Sequence, residues 1–444
     1  GLCHAELVLA SRDLCRRNNF MKKQMPLIIS MAWRNIQRNK RRTILSGGAI
    51  FLVSVFICFM MSLEYGSMDD MKYNIVHHET GAVRIRNPRY TENERITPLN
   101  FFIPETNSVL QKTLLAEGVT AARARIRTPI AVYKNEETEA ANFIAVNFPD
   151  KYYFSDKDNI LLEGSLNFMN ESAEENKRKV LVTDKFAQSF NLHANDKFTF
   201  IARTANGGTN GCTVTVSAVM RFSDGDLNGK FVFMNLDAAS KLLRMKGNAT
   251  EILLFSDNWD DKNYVENLAQ KISGIPELSG LEIVPWTKGT TWYAMIEMSD
   301  FMYFIYALIF FILASTVIFN STMMSVMERK KEIGSLLSLG MTPKSVRGMF
   351  LLETAFISGI SAFAGCLLGG IIVSIFNKTG INLAGSGYEM MGGFNIKLML
   401  YPSLSFGRYV EFFLTGFLTA FIACLIPSRM ALKVQPAEAL RAEN

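Results

Sequence analysis

Long stretches without a charged side chain constrain this chain more than any other feature. The 27 residues from Phe301 to Met327, the 24 from Thr354 to Asn377 and the 21 from Thr43 to Leu63 contain no Asp, Glu, Lys or Arg. About 20 apolar residues span the ~30 Å hydrocarbon core of a bilayer. A fourth run, Phe412–Ser428, has 17 such residues and is long enough once the preceding turn, with Arg408 snorkelling to the interface, is added. We therefore predict four transmembrane helices rather than the buried helices of a soluble core.

The distribution of charge predicts how these helices are oriented. The chain carries a net charge of +6, yet residues 64–300 contain 26 Lys and Arg against 32 Asp and Glu. The basic excess therefore flanks the spans, and residues 22–42 contain seven basic side chains and no acidic one. Basic segments beside a span stay on the cytoplasmic side, so we expect residues 64–300 to lie outside. A nucleic-acid partner is disfavoured because no aromatic side chains are interleaved with the basic ones.

The segment between the first two spans has the pattern of a folded α+β domain. The stretches "AARARIRTPIAVYKN" and "EAANFIAVNF" predict two strands of a hairpin, and "KVLVTDKFAQSFNL" predicts a strand followed by a capped helix. A segment of 237 residues, 64–300, is large enough to bury a core of its own. Because both its ends continue into spans, we expect movement of those spans to move the domain.

Motifs for catalysis and for nucleotide binding are absent from the sequence. There is no Gly-x-x-x-x-Gly-Lys-Ser/Thr phosphate loop and no Gly-x-Ser-x-Gly nucleophile elbow. The stretch that contains His77 and His78, "HHETG", lacks the second histidine of the His-Glu-x-x-His motif of zinc proteases. We therefore expect no enzymatic site, no bound metal and no cofactor in this chain.

The charged stretch "ERKKEIGSLLSLGMTPKSVRGMF" separates the second and third spans. Gly340 is suited to the residue that follows a helix, and Thr342 with Pro343 is suited to the start of the next helix. The pattern predicts a helical hairpin that docks into a groove of another protein. An ordinary amphipathic connector is the alternative interpretation.

Three separated motifs resemble one family of membrane proteins. The stretches "ERKKEIGSLLSLGMTPKSVRGMFLLE", "WRNIQRNKRRTILS" and "IPSRMALKVQPAEALRAEN" are similar to the coupling segment, the amino-terminal approach and the carboxyl-terminal ending of FtsX/MacB-type ABC transporter permeases. Two further stretches, "HHETGAVRIRNP" and "IVPWTKGTTWYAMIEMSDFMYFI", resemble the lipoprotein-releasing LolC/LolE branch. The resemblance implies a MacB-like periplasmic core for the inserted domain and a location in the cell inner membrane.

The resemblance also implies partners and a mechanism. A separate ABC ATPase dimer would bind ATP and Mg²⁺, and a second permease chain, the same or homologous, would complete the transporter. ATP-driven movement of the spans would reach the outer domain by mechanotransmission, and the client would be a lipoprotein, passed to a periplasmic carrier. Export of another amphiphile, or regulation of a cell-wall hydrolase without transport, remain alternative functions.

Three groups of residues are candidates for these roles. A polar side chain inside a span is often functional, which makes Asn320 a candidate intramembrane site. Small residues every four positions allow close helix packing, which the third span offers at Ser361, Gly365 and Gly369. The resemblance assigns coupling to the ATPase to a set of hairpin residues, namely Glu328, Arg329, Glu332, Ile333, Gly334, Leu337 and Gly340.

These patterns give a predicted order of segments along the chain. Residues 1–20 differ in character from the rest of the sequence and are predicted to be a non-native or an upstream extension. The remaining segments are a basic amphipathic segment (21–42), span one (43–63), the outer domain (64–300), span two (301–327), the coupling hairpin (328–353), span three (354–377), an outer loop (378–405), span four (406–428) and a cytoplasmic tail (429–444).

Overall fold

The computed structural model describes residues 29–430 except 39, 95–96, 135–136, 155, 173, 228, 289–290 and 383–398. The chain forms two compact units. Of the described residues, one unit comprises those within 29–65, 300–379 and 402–430, and the other comprises those within 66–299 and 380–401. The predicted extension over residues 1–20 and most of the predicted tail lie outside the described residues.

The helices are of two kinds, long apolar ones and shorter ones, most of which lie in the second unit. They are α1 (29–38), α2 (Lys40–Asn74), α3 (Pro88–Glu92), α4 (Thr106–Leu114), α5 (Lys151–Phe154), α6 (Asp184–Ser189), α7 (Leu236–Leu242), α8 (Lys262–Ser273), α9 (Thr291–Glu328), α10 (Lys330–Ser338), α11 (Pro343–Thr379) and α12 (Phe406–Met430). A π-helical turn, Ile75–Thr80, continues α2.

Four helices of the described chain are long and apolar enough to cross a membrane. The apolar segments are Thr43–Thr80, Tyr293–Phe310, Pro343–Thr379 and Phe406–Arg429. The second unit is inserted after the first of them and before the second. This order confirms the predicted fold class, which is four transmembrane helices with a large α+β domain between the first two.

The first long helix continues well past its charge-free run. That run ends at Leu63, whereas α2 ends at Asn74. Met68, Met71 and Ile75 are 7%, 6% and 0% exposed, and they follow the spacing of one helical face. Burial of this face in the second unit extends the helix, so the inserted domain begins as a helical extension of the span.

The second unit is built on a mixed sheet. Its strands are β1 (Val83–Arg86), β2 (Ala121–Lys134), β3 (Glu137–Val146), β4 (Ile160–Gly164), β5 (Lys179–Thr183), β6 (Lys197–Arg203), β7 (Thr209–Arg221), β8 (Phe231–Asn235), β9 (Glu251–Phe255) and β10 (Glu282–Pro285). They pair in the order β10-β1-β9-β2-β3-β8-β5-β7-β4. Strand β6 pairs with both β2 and β7, which closes six strands into a ring. A further pair, β11 (Ile381–Asn382) and β12 (Met399–Leu400), flanks residues 383–398.

Alternation along the strands supplies the core of this unit. In β6, Phe198, Phe200 and Ala202 are buried, while Lys197 and Arg203 are exposed. This period of two places the apolar side chains on one face of the strand. An aromatic cluster that includes Tyr153, Phe222 and Phe233 fills another part of the interior. The predicted hairpin is present as β2 and β3, with Lys134 opposite Glu137.

In the first unit the four long helices share a buried cluster. Ile50 of α2, Ile318 of α9, Ala362 of α11 and Ala423 of α12 pack together, each less than a tenth exposed. Lipid is as apolar as these side chains, so close packing rather than the hydrophobic effect holds such helices together. The cluster therefore depends on how closely the backbones can approach.

Candidate functional site

The hairpin between α9 and α11 has the turn that its sequence predicts. Gly340 has φ +89°, and its N–H donates to the carbonyl of Leu337 at 3.1 Å. The N–H of Met341 donates to the carbonyl of Leu336 at 3.0 Å, which completes a Schellman motif. The hydroxyl of Thr342 accepts from the N–H of Ser345 at 3.3 Å and caps α11. These bonds fix the angle between α10 and α11 locally.

One face of α10 is buried within the chain itself. Ile333 is 1% exposed and packs with Val346, Met349 and Phe350 of α11 and with Ala32 of α1. Gly334 is buried and Leu337 is half-buried on the same side. The resemblance implies that these three residues face an ATPase, but in this chain their side of the helix holds the hairpin against α11 and α1.

Ion pairs hold the base of the hairpin. Arg329 Nη1 lies 2.8 Å from a carboxylate oxygen of Glu353, and these residues are 5% and 2% exposed. Arg329 Nε also lies 3.3 Å from Glu332, and the carboxylate of Glu332 pairs with Arg38 of α1. Arg329 is therefore a buried link between the end of α9 and the start of α11. Glu332, although about half exposed, is already engaged by two cations.

The hairpin surface that remains accessible carries charges of both signs. Of the predicted coupling residues, Glu328, Glu332 and Gly340 are exposed. The neighbouring Leu339 is 84% exposed. The other accessible charges on the hairpin include Lys331 and Lys344, with Lys330 half-buried. A partner can therefore reach the tip at Leu339 and Gly340 and the outward side of α10.

The small-residue stripe of the third span lies against the first span. A Cβ added to Gly365 would be 2.6 Å from the carbonyl oxygen of Phe51, and one added to Gly369 would be 2.8 Å from Cβ of Cys58. The hydroxyl oxygen of Ser361 lies beside Gly47. A Cβ added to Gly47 would be 2.7 Å from that oxygen. The predicted packing residues thus sit where α2 and α11 approach closely, and no larger side chain fits without separating them.

Asn320 lies on α9 and is exposed in this chain. Two residues further along α9, the hydroxyl of Thr322 donates to the carbonyl of Ile318 at 2.8 Å, which is an ordinary hydrogen bond within a helix. The structure therefore does not bring Asn320 together with the other predicted residues.

A row of arginines in the second unit escaped the sequence reasoning. Arg123 donates to the carbonyl of His77 at 3.0 Å, and Arg125 donates to the carbonyl of His78 and, at 2.7 Å, to that of Glu79. Arg127 pairs with the carboxylate of Glu79. Alternate residues of β2 point to one face, so the three guanidinium groups meet the end of the π-helical turn together. They satisfy carbonyls that a helix terminus otherwise leaves without partners.

Acidic groups compensate the buried charge of this arginine row. Asp150 lies 3.1 Å from Arg123, and Glu251 lies 2.8 Å from Arg125, which is 1% exposed. Burial alone would lower the pKa of Arg125, but the charge of Glu251 outweighs it and the pKa is raised well above its ordinary value. Arg125 is therefore held in its charged form. The alternation Arg-x-Arg-x-Arg within a predicted strand was the available sequence signal.

The two adjacent histidines are part of the same region. Nδ1 of His78 lies 2.8 Å from a carboxylate oxygen of Asp224, and the ring of His77 stacks on Tyr73 at 3.8 Å between centroids. Within the described residues no group of three or more His, Cys, Asp or Glu side chains is arranged to hold a metal. Nearby, burial and then the charges of Glu79 and Asp224 raise the pKa of Asp226 to about 6.

Comparison with known proteins agrees with the described architecture. Residues 304–436 match the family model described as FtsX-like permease C-terminal. LolC of Xylella fastidiosa (strain 9a5c) is 25% identical over 239 residues, which cover 52% of this chain and 55% of that protein. LolC of Haemophilus influenzae is 24% identical over 287 residues, covering 62% and 67%. The chain thus matches about half the length of the first of these relatives.

A solved structure is also similar to part of the chain. The crystal structure of the periplasmic region of MacB from Actinobacillus actinomycetemcomitans aligns with 48% of this chain and 92% of its own, at 11% identity and a TM-score of 0.33.

The family match lies in the part of the chain that contains the hairpin and the last two apolar helices. Over residues 304–436 the chain is similar to FtsX-like permeases, and it is similar to LolC proteins from several species. It is a multi-pass membrane protein.

Proposed function

We propose that this chain is the membrane subunit of a lipoprotein-releasing ABC transporter in the cell inner membrane. A separate ATPase dimer binds ATP and Mg²⁺ on the cytoplasmic side, and a second permease chain, the same or homologous, completes the complex. The support for this client is the similarity to proteins named lipoprotein-releasing system transmembrane protein LolC. The FtsX-like match supports the class of transporter.

The construction of the hairpin carries the proposal that an ATPase acts on this chain. Its turn is fixed by a Schellman motif, its base by the buried Arg329–Glu353 pair, and its inner face by packing around Ile333. A flexible connector would need none of these. A rigid tip passes displacement to both α9 and α11, since Arg329 follows the last residue of α9 and Glu353 belongs to α11.

The partner would contact the accessible tip rather than the face that the resemblance implies. Leu339, at 84% exposure, is a large apolar side chain on an otherwise polar surface. Apolar anchors that enter a partner's pocket commonly dominate the energy of an interface. Displacement of the hairpin would then reach the inserted domain through α9 and α2, and the domain would take the lipid-anchored client and pass it to a periplasmic carrier.

The test is reconstitution of the complex in vesicles with a Leu339→Asp variant. Placing a charge in an apolar pocket costs several kcal/mol of association, so binding of the ATPase and release of lipoprotein should both be lost. The thermal stability of the permease should not change, because Leu339 is exposed. Leu115→Asp, at 86% exposure in the second unit, is the matched control and should retain both activities.

The same assay separates the alternative functions. If the Leu339→Asp variant binds the ATPase and releases lipoprotein normally, the hairpin is an ordinary connector between two spans. ATPase activity that depends on Leu339 without any transfer of lipoprotein to a soluble carrier would instead identify another amphiphile or a non-transporting regulatory role.

A further inference from the structure

A groove of about 480 Å³ lies on the surface of the four-helix unit, between the last turns of α11 and the start of α12. Its volume is within the range of ~300–1,000 Å³ typical of small-molecule sites. All of its walls belong to the first unit. It is lined by Leu367, Gly370, Ile371, Ser374, Ile375, Lys378, Leu404 and Tyr409.

Part of the groove exists because Gly370 has no side chain. A Cβ at Gly370 would lie 3.1 Å from the ring of Tyr409, so any other residue would fill the space over that ring. The hydroxyl of Ser374 donates to the carbonyl of Gly370 at 2.7 Å, which satisfies its polarity within the helix. The part of the groove lined by residues 367–375 therefore offers no unsatisfied polar group of Ser374 and is otherwise apolar.

One end of the groove carries a positive charge. Lys378 follows Ser374 by one helical turn, is exposed, and lies in the last turn of α11. No ion pair of Lys378 is found with the residues that the structure describes. The groove thus runs from aliphatic side chains within a membrane span to an ammonium group at the end of that span.

We propose that this groove binds an anionic phospholipid of the surrounding membrane. An acyl chain lies against Leu367, Ile371 and Ile375, and the phosphate meets Lys378. The apolar walls exclude a water-soluble ligand, and the single cation selects against a headgroup without net charge. Lipid tails are as apolar as these walls, so apolar contact does not distinguish one phospholipid from another.

The expected selectivity follows from the charge. One Lys near an anionic membrane surface contributes about 1 kcal/mol, which corresponds to roughly a fivefold preference. The full chain, purified and exchanged into micelles with equal amounts of phosphatidylglycerol and phosphatidylcholine, should retain the two lipids in about that ratio by native mass spectrometry. Lys378→Gln should bring the ratio to about one. Lys271→Gln, which removes the same charge from an exposed helix of the second unit, should leave it unchanged.

A second variant tests the apolar part of the site independently. Ser374→Phe should fill the groove and abolish retention of either lipid, whereas Leu368→Phe, 40% exposed on α11 but outside the groove, should retain both. An unchanged ratio in Lys378→Gln, or normal retention in Ser374→Phe, would overturn the proposal. So would displacement of the lipid by an equimolar diacylated lipopeptide, because the groove would then belong to the anchor of a transported client.

Discussion

The buried ion pair at the base of the hairpin gives the sharpest test of how the hairpin is held. Glu353→Gln removes the carboxylate that lies 2.8 Å from Arg329 and leaves the guanidinium buried. If Arg329 holds α9 and α11 together, the variant should be destabilised and the whole hairpin should loosen. If Arg329 instead contacts an ATPase, stability should change little.

The expected size of the effect follows from burial. Arg329 and Glu353 are 5% and 2% exposed. Removing one partner of a buried pair costs about 3–5 kcal/mol. Glu332, 3.3 Å from Nε of Arg329, still compensates part of that charge, so the cost should lie at the lower end of this range. Replacing both partners with apolar residues of similar size is often neutral or stabilising. The double variant Arg329→Met with Glu353→Leu should therefore recover most of the stability that Glu353→Gln loses.

The chain supplies its own reporters for this measurement. Cys58, Cys366 and Cys424 are buried thiols in the spans. A thiol-reactive dye therefore reports unfolding of the full chain in detergent, in a background in which Cys3, Cys15 and Cys212 are replaced by Ser. Arg38→Met is the matched control. It removes an exposed pair from the same hairpin, with side chains 62% and 49% exposed, and should cost no more than about 1 kcal/mol.

Two outcomes would refute the reasoning. Melting of Glu353→Gln at the wild-type temperature would show that the pair does not hold the helices. A double variant as stable as wild type that still fails to associate with the ATPase would show that Arg329 acts directly on the partner.

Three other variants test other parts of the fold. Gly365→Ala should cost about 1–3 kcal/mol, because its Cβ would lie 2.6 Å from the carbonyl oxygen of Phe51, whereas Gly348→Ala, with open space, should be neutral or stabilising in the same dye assay. Arg125→Met should lower the free energy of unfolding by about 3–5 kcal/mol, because it leaves buried carboxylates uncompensated. An unchanged midpoint of urea unfolding would contradict this. Asp226 has its pKa raised to about 6, so the folded state loses stability as pH rises from about 4 through 6. Asp226→Asn should therefore stabilise the folded state by up to about 3 kcal/mol at pH 8 and by almost nothing at pH 4. Thermal unfolding at the two pH values measures this difference.

The architecture could be predicted from sequence because few structures suit long apolar runs. A charge-free run such as Phe301–Met327 has to be helical in lipid, where every backbone group needs an internal partner. The turn at Gly340 was equally predictable, because the glycine, the capping threonine and the proline all indicate the same local geometry. Local signals of this kind need no knowledge of the rest of the chain.

The face that α10 buries could not be predicted in the same way. Ile333 and Leu337 are apolar whether they meet another protein or α11, so the sequence pattern is the same in both cases. The structure distinguishes them by bringing Ala32 and Phe350, which are distant in sequence, onto that face. The partners of Arg125 were hidden for the same reason, since Glu251 follows it by more than a hundred residues.

The arginine row on β2 has a consequence for the transmission of torque. The helix end is held at successive carbonyls by side chains spaced two residues apart on a strand, so turning the helix about its axis strains several bonds at once. Twisting the end of this helix relative to β2 would therefore strain these hydrogen bonds together, which couples the orientation of the helix end to the strand.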